Sequence, residues 1–341
     1  MKTRTIICIM ILILSGIFLS PNNVDAKTYK FKNTVIDSKK YLTLVSTLAV
    51  NKNGEVQYID YSSVKKNYNR MIFYTINKNL AKKTGSFKVK IKNYRFVNYT
   101  RIIDGKTLTF DEVDSGVIYI REYDVKGKCV NEFKIQEFPK RSNYFMYLTE
   151  NIWDDGDNIY YLYLKHKKKG IYTPRYILCR INKKTKKVNR STINIDGHHS
   201  LFDNGYIYEL CEKEINIFSL KGKKLSTVNL PEGETDYKVN EGTQDYKNLS
   251  THVLGVRGNF LYYCNKNGVY RCNIRNLDKT NKFKLIYEAG NDEFFGNDYK
   301  MEEICIKDKD TFFVKVVHTS DLDACADPDD TKFVKYTRKK R

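Results

Sequence analysis

With 341 residues, 41% of them hydrophobic and 29% charged, the chain is long and apolar enough to bury a core, which excludes a disordered or collagen-like protein. Its 60 Lys and Arg against 40 Asp and Glu leave a net charge of +20, so acidic partners are expected.

The first element is a basic Met1-Lys2-Thr3-Arg4 followed by an apolar run from Ile6 to Leu19 and by small side chains around Val24-Asp25-Ala26. That order reads as a secretory signal peptide over residues 1–26. The run of 14 residues is shorter than the roughly 18 to 20 that span a bilayer, and no cysteine follows it directly to carry a lipid. The expected mature chain, residues 27–341, is therefore a single secreted domain without a stable membrane anchor. Secretion turns the reading of the positive charge away from nucleic acid and toward extracellular polymers.

After the leader, strand signals dominate: runs of Tyr, Ile, Val, Phe and Thr broken by Asn-Gly, Asp-Gly and Lys-Gly-Lys turns. Thr28 to Lys32 alternates apolar with polar, and Tyr41 to Val50 is the first long strand. Turn markers then recur at Asn53-Gly54, Asp104-Gly105, Asp155-Gly156, Asn204-Gly205, Arg257-Gly258 and Lys309-Asp310, spaced by 51, 51, 49, 53 and 52 residues. The third unit shows the pattern most plainly. Met146 to Trp153 reads as strand A, Ile159 to Leu164 as B, Tyr176 to Ile181 as C and Val188 to Ile195 as D. Tyr206 to Tyr208, Phe260 to Tyr263 and Thr311 to Val314 repeat B, while Phe87 to Ile91, Cys129 to Ile135 and Phe283 to Tyr287 repeat D.

Four strands per unit and six units predict an all-β, six-bladed β-propeller with antiparallel blades. The sixth unit supplies A (Glu303 to Lys307), B (Thr311 to His318) and C (Lys332 to Tyr336), after which no D strand follows. The N-terminal strand Thr28 to Lys32 is expected to complete it and to cover an open sheet edge. In this rhythm the chain resembles the six-bladed propeller superfamily, in particular secreted bacterial propeller domains of unknown function that are distantly similar to the low-density-lipoprotein-receptor type. The Tyr-Trp-Thr-Asp and Ser-x-Asp-x-Gly-x-Thr-Trp motifs of propeller families are missing, so the resemblance implies a fold and no site residues.

Seven cysteines follow the leader, scattered singly through apolar stretches, which disfavours a disulfide framework. A three-residue loop centred on Gly268 would put Cys264 opposite Cys272, whereas a two-residue Asn267-Gly268 turn would put it opposite Arg271. No CxxC or HExxH pattern supports a zinc site.

In a propeller the B–C and D–A connections lie at one end, here called the loop end, and the A–B and C–D turns at the other, the turn end. Lysine clusters fall in the C–D turns: Lys82-Lys83, Lys126 and Lys128, Lys183, Lys184, Lys186 and Lys187, then Lys221, Lys223 and Lys224. The long loops carry more carboxylates. The expectation is a basic turn end and a largely acidic loop end. Ligand-binding candidates at the loop end are Trp153, Tyr172, His198, His199 and His252. Asp321, Asp323, Asp327 and Asp329 lie in a stretch with five carboxylates in ten residues, the hard oxygen donors that calcium takes. No other cofactor is expected.

The first functional reading is a secreted, non-catalytic binding or scaffold propeller that engages an extracellular anionic polymer, glycan or protein. The alternative is a hydrolase or lyase acting on a glycan or lactone, for which Asp154, Asp155 and Asp157 would be the carboxylates. Specific nucleic-acid binding comes third, because nothing places the aromatics as a stacking platform along the lysines.

Overall fold

A computed structural model describes residues 29–36, 48–51, 53–65, 68–90, 99–103, 105–113, 117–124, 126–137, 144–167, 175–195, 200–211, 213–231, 252–277, 281–296, 298–318 and 331–339. The signal-peptide segment, Tyr172, His198, His199 and the aspartates 321–329 lie outside the described residues.

The strands form six four-stranded antiparallel sheets. Blade 1 is β2 (Ala49–Val50), β3 (Val56–Lys65), β4 (Tyr68–Asn77) and β5 (Leu80–Lys90). Blade 2 is β6 (Tyr99–Ile103), β7 (Lys106–Val113), β8 (Val117–Tyr123) and β9 (Cys129–Gln136). Blade 3 is β10 (Tyr144–Asp154), β11 (Asn158–Lys167), β12 (Arg175–Asn182) and β13 (Val188–Ile193). Blade 4 is β14 (Ser200–Asp203), β15 (Tyr206–Leu210), β16 (Glu214–Ser219) and β17 (Lys224–Asn229). Blade 5 is β18 (Val253–Arg257), β19 (Phe260–Asn265), β20 (Gly268–Asn273) and β21 (Lys284–Glu288). Blade 6 is β22 (Tyr299–Asp308), β23 (Thr311–His318), β24 (Thr331–Arg338) and, from the other end of the chain, β1 (Phe31–Val35).

The inner strands approach one another in sequence, β2 beside β6, then β10, β14, β18 and β22, and β22 returns to β2. The ring is thus closed, a six-bladed propeller. Its closing strand is the N-terminal one, as expected, and pairs Phe31 with Arg338 through to Val35 with Val334. The strand runs from Phe31 to Val35, so it shares Phe31 and Lys32 with the expected segment and continues three residues beyond it along β24.

The apolar runs are continuous because each blade is covered on both faces. Along β11, Ile159, Tyr161 and Tyr163 enter the seam with blade 2, while Tyr160, Leu162 and Leu164 enter the seam with blade 4. Every one of the six seams carries its own apolar cluster. Each B strand also contributes one fully buried ring: Tyr58, Phe110, Tyr161, Tyr208, Tyr263 and Phe313. These rings meet two by two, in the seams between blades 6 and 1, 2 and 3, and 4 and 5.

The A–B turns hold the repeat marker in the left-handed region, with Gly54, Gly105, Gly156 and Gly205 at φ of 75°, 79°, 100° and 79°. Blade 1 departs from the expected layout. Its C–D turn is Lys78-Asn79, with Lys78 itself at φ 56°, so Lys82 and Lys83 lie on β5 and not in a turn.

In blade 5 the hairpin turn is Lys266-Asn267, and the register sets Cys264 opposite Val269 and Cys272 opposite Leu261. Neither expected pairing of the two cysteines occurs, because Asn265 fixes an earlier turn: its Oδ1 accepts from the backbone of Asn267 at 2.9 Å and of Gly268 at 3.2 Å. The Cys264 Sγ instead contacts Met301 Sδ at 3.4 Å, and burial pushes the thiol well up from its ordinary range. Gly268 stands at φ 147°, and a Cβ there would collide with the Tyr287 carbonyl oxygen on β21. Gly268→Ala is therefore expected to cost about 2 kcal/mol, read as a lower denaturation midpoint; an unchanged midpoint would refute the close approach.

Candidate functional site

The C–D turns of blades 2, 3 and 4 share one construction. The last residue before each turn, Asp124, Asn182 or Ser219, turns its side-chain oxygen onto the turn backbone. Asp124 Oδ1 accepts from Lys126 and Lys128 N at 2.9 Å, Asn182 Oδ1 from Thr185 N at 2.8 Å, and Ser219 Oγ from Lys221 N at 3.3 Å and Lys223 N at 3.2 Å. Gly127, Lys186 and Gly222 take the left-handed residue at φ of 81°, 58° and 79°. These bonds fix the backbone and leave the lysine side chains pointing to solvent. Lys126, Lys128, Lys184, Lys186, Lys187, Lys221 and Lys223 are all exposed, and none forms an ion pair among the described residues. Lys224, the first residue of β17, is exposed and lies 3.7 Å from Glu214.

Lys183 corrects the expected basic face. It is 11% exposed, and its ammonium turns inward between Asp154 Oδ2 and Glu122 Oε2, the latter at 3.3 Å. Glu122, at the turn end of β8 in blade 2, is fully buried, pairs also with Lys106 and accepts from Asn131 Nδ2 at 2.7 Å. Burial pushes the Glu122 carboxyl up, but the hydrogen bonds from Lys106 and Asn131 and the charges of Lys183 and Lys106 outweigh it and hold it below its ordinary range. Lys183 is therefore a strut between blades 2 and 3, and the outward charge of its turn comes from Lys184, Lys186 and Lys187.

Trp153 is the second correction of place. It pairs with Tyr160 next to the A–B turn, so it stands at the turn end and not among the loops. It packs on the seam clusters on both sides of blade 3, and the Arg101 guanidinium carbon lies 5.6 Å from its ring centre. The neighbouring carboxylates are occupied by the turn. Asp155 Oδ1 accepts from Asp157 N at 3.0 Å and Asn158 N at 2.7 Å, and its Oδ2 accepts from the Tyr160 hydroxyl at 2.9 Å. Burial pushes Asp155 up, and these donors bring it net below its usual value.

At the loop end, His252 precedes β18, its Nδ1 2.5 Å from the buried Tyr263 hydroxyl and its ring stacked at 5.7 Å. Tyr299, Phe294 and His318 gather at the same end of blade 6, with the Lys332 ammonium 4.9 Å from the Tyr299 ring centre. A second buried carboxylate, Glu137 at the end of β9, accepts from Arg190 Nε at 2.7 Å and from the Tyr161 and Tyr163 hydroxyls, joining blade 2 to blade 3. Burial, with the nearby Glu137 charge, pushes both tyrosines well up, and it pushes the Cys179 thiol up to about 12, which keeps that thiol protonated and inert. Glu122, Glu137 and Arg101 carried no local sequence signal, since their partners belong to other strands or other blades.

No protein-family model matches the chain, and no curated protein matches it. Among solved structures, a luciferin-regenerating enzyme is 12% identical over 90% of this chain and 95% of its own, with a TM-score of 0.47. An α-L-arabinanase of Penicillium chrysogenum is 10% identical over 90% of this chain and 97% of its own, with a TM-score of 0.46. The match to an ACO/RPE65 chimera covers 72% of this chain and 65% of that protein's length, at 6% identity and a TM-score of 0.41. The propeller assignment rests on the sheet order and the closed ring, and these likenesses transfer no residue.

Proposed function

We propose that this protein is a secreted binding propeller whose turn end, over blades 2 to 4, holds an extracellular anionic polymer such as the phosphates of a bacterial wall. One observation carries the reading: Lys126, Lys128, Lys184, Lys186, Lys187, Lys221 and Lys223, from three adjacent C–D turns, are exposed and form no ion pair among the described residues, on hairpins whose backbones are locked by Asp124, Asn182 and Ser219. Lys is a compact point charge on a flexible stem, suited to a repeating anion whose groups need not be fitted one by one. A locked turn lowers the entropy cost of holding several such charges together.

The test is retention of the mature chain on isolated Gram-positive cell walls at low and high salt, beside a variant with Lys184, Lys186, Lys221 and Lys223 changed to Gln. At about 0.5 kcal/mol for each exposed charge, the variant should bind about 30-fold more weakly at low salt, and wild-type retention should fall as salt rises. Equal retention of both proteins would sink the reading. Retention on DNA equal to that on walls would leave a general polyanion binder in its place.

A further inference from the structure

At the turn end of the axial channel, charged side chains meet from blades that are far apart in sequence. Arg101 projects from β6 of blade 2 and crosses the inner strand of blade 3. Its Nη1 donates to the Ile152 carbonyl at 3.2 Å, and its Nη2 reaches Asp203 Oδ2 of blade 4 at 3.5 Å. Asp203 is the last residue of β14, and Arg257 is the last residue of β18 in blade 5. Burial raises the Asp203 carboxyl above its ordinary value, opposed by the charge of Arg101, the Asn204 backbone hydrogen bond and the charge of Arg257. Solvent still reaches it, with 31% of the side chain exposed, as befits a group on the rim of a channel.

The donors here exceed the acceptors. A guanidinium carries five N–H groups. Arg101 uses two, one of them on a contact far longer than the roughly 2.8 Å of a strong charge-assisted bond, and Arg257 is exposed with no side-chain hydrogen bond or ion pair among the described residues. Asn204 Nδ2 donates to the Gly258 carbonyl at 3.0 Å, which ties the A–B turns of blades 4 and 5 together beside Asp203 and Arg257, so two guanidinium groups stand near one carboxylate. Planar forks with unused donors around one carboxylate fit a further oxyanion better than they fit a cation or an apolar group.

We infer that the turn-end mouth of the channel binds one small oxyanion group, a phosphate or a carboxylate, on the guanidinium groups of Arg257 and Arg101. Asp203 is the positioning residue that draws Arg101 across the channel, and Trp153 is the wall beneath that arginine. The group is either a free anion or the end of an anionic polymer, and the site does not depend on the lysine turns.

Calorimetric titration of the mature chain at constant ionic strength separates these cases, with inorganic phosphate in one arm and glucuronate in the other. Saturable binding of one anion per chain is expected in at least one arm. Arg257→Gln should weaken it about tenfold or more, since a charged hydrogen bond is lost from an exposed residue that the fold does not need. Lys184→Gln with Lys221→Gln should leave it unchanged. Heat with phosphate alone assigns a phosphate, heat with glucuronate alone assigns a carboxylate, and either supports the site. No heat in both arms, no effect of Arg257→Gln, or an equal loss in the lysine variant would overturn it. The lysine variant's behaviour on walls is read separately, so failure here leaves the polymer-binding face standing and the reverse.

Discussion

Removing residues 29–36 should lower the unfolding midpoint by about 10 °C and make the protein associate. The segment is the outer strand of blade 6, and its loss would expose the whole edge of β24. Three backbone bonds anchor it beyond the ladder: Tyr29 N to Ile286 O, Ile36 N to Phe333 O and Lys339 N to Lys30 O. Phe31 packs its ring on Tyr287 at 5.6 Å and on Phe312 at 5.3 Å, while Ile36 is buried in the seam between blades 6 and 1. Two buried anchors and a strand's hydrogen bonds are together worth about 5 kcal/mol, and a chain of this size loses about 2 °C per kcal/mol. Phe31→Ala should show about 2 kcal/mol of that loss without opening the edge, and so without association. A truncated protein with the wild-type midpoint and a monodisperse profile would mean that the ring holds without its closure.

Six units of four strands each were legible because each relies on a local signal that repeats, and closure by the N terminus because the sixth unit lacks a D strand of its own. In blades 1 to 5 the signal is a left-handed turn residue followed by a run buried on both faces, and in blade 6 the run alone. Where the local signal failed, a competing residue explains it. The C–D turn of blade 1 has no glycine, so Lys78 in the left-handed region was invisible while Lys82-Lys83 imitated the lysine turns of blades 3 and 4. Cys264 and Cys272 were misaligned because Asn265 captures two backbone N–H groups and closes the hairpin one step early.

The candidate site was legible as a class of surface and illegible in its partners. Exposed lysines in locked turns follow from the turn sequences themselves. The fate of Lys183 does not, because it is decided by Glu122 on another blade, and the same holds for Arg101, whose partner Asp203 lies two blades away. Ring closure by contacts of this range also predicts slow folding, since the chain must bring its two ends together before blade 6 exists. Charge placement across seams is thus a property of the assembled ring, read only once the blades are in register.

Glu122 is where that placement matters most for stability. Glu122→Gln keeps the shape of the side chain and the bond to Asn131, and removes the charge that faces Lys183 and Lys106. Lys106 is about half exposed and can turn to water; Lys183 cannot, and would keep Asp154 alone. The cost at pH 7 should be about 3 kcal/mol, the range for breaking a buried pair by removing one partner. The sign of the pH dependence follows from the depressed pKa in the folded protein. The contribution is present above the unfolded carboxyl value near 4.3, and it is lost as pH falls from there through the lower folded value. Wild type and Glu122→Gln should therefore differ most at neutral pH and converge in acid, as measured by denaturation midpoints from pH 7 down to about 3. Lys106→Gln, touching only the exposed partner, should cost under about 1 kcal/mol. If Glu122→Gln were as mild as Lys106→Gln, Lys183 would have to leave the seam for solvent. The basic turn of blade 3 would then gain a fourth outward lysine, and binding to walls should rise in that variant; if the strut holds as described, it should not.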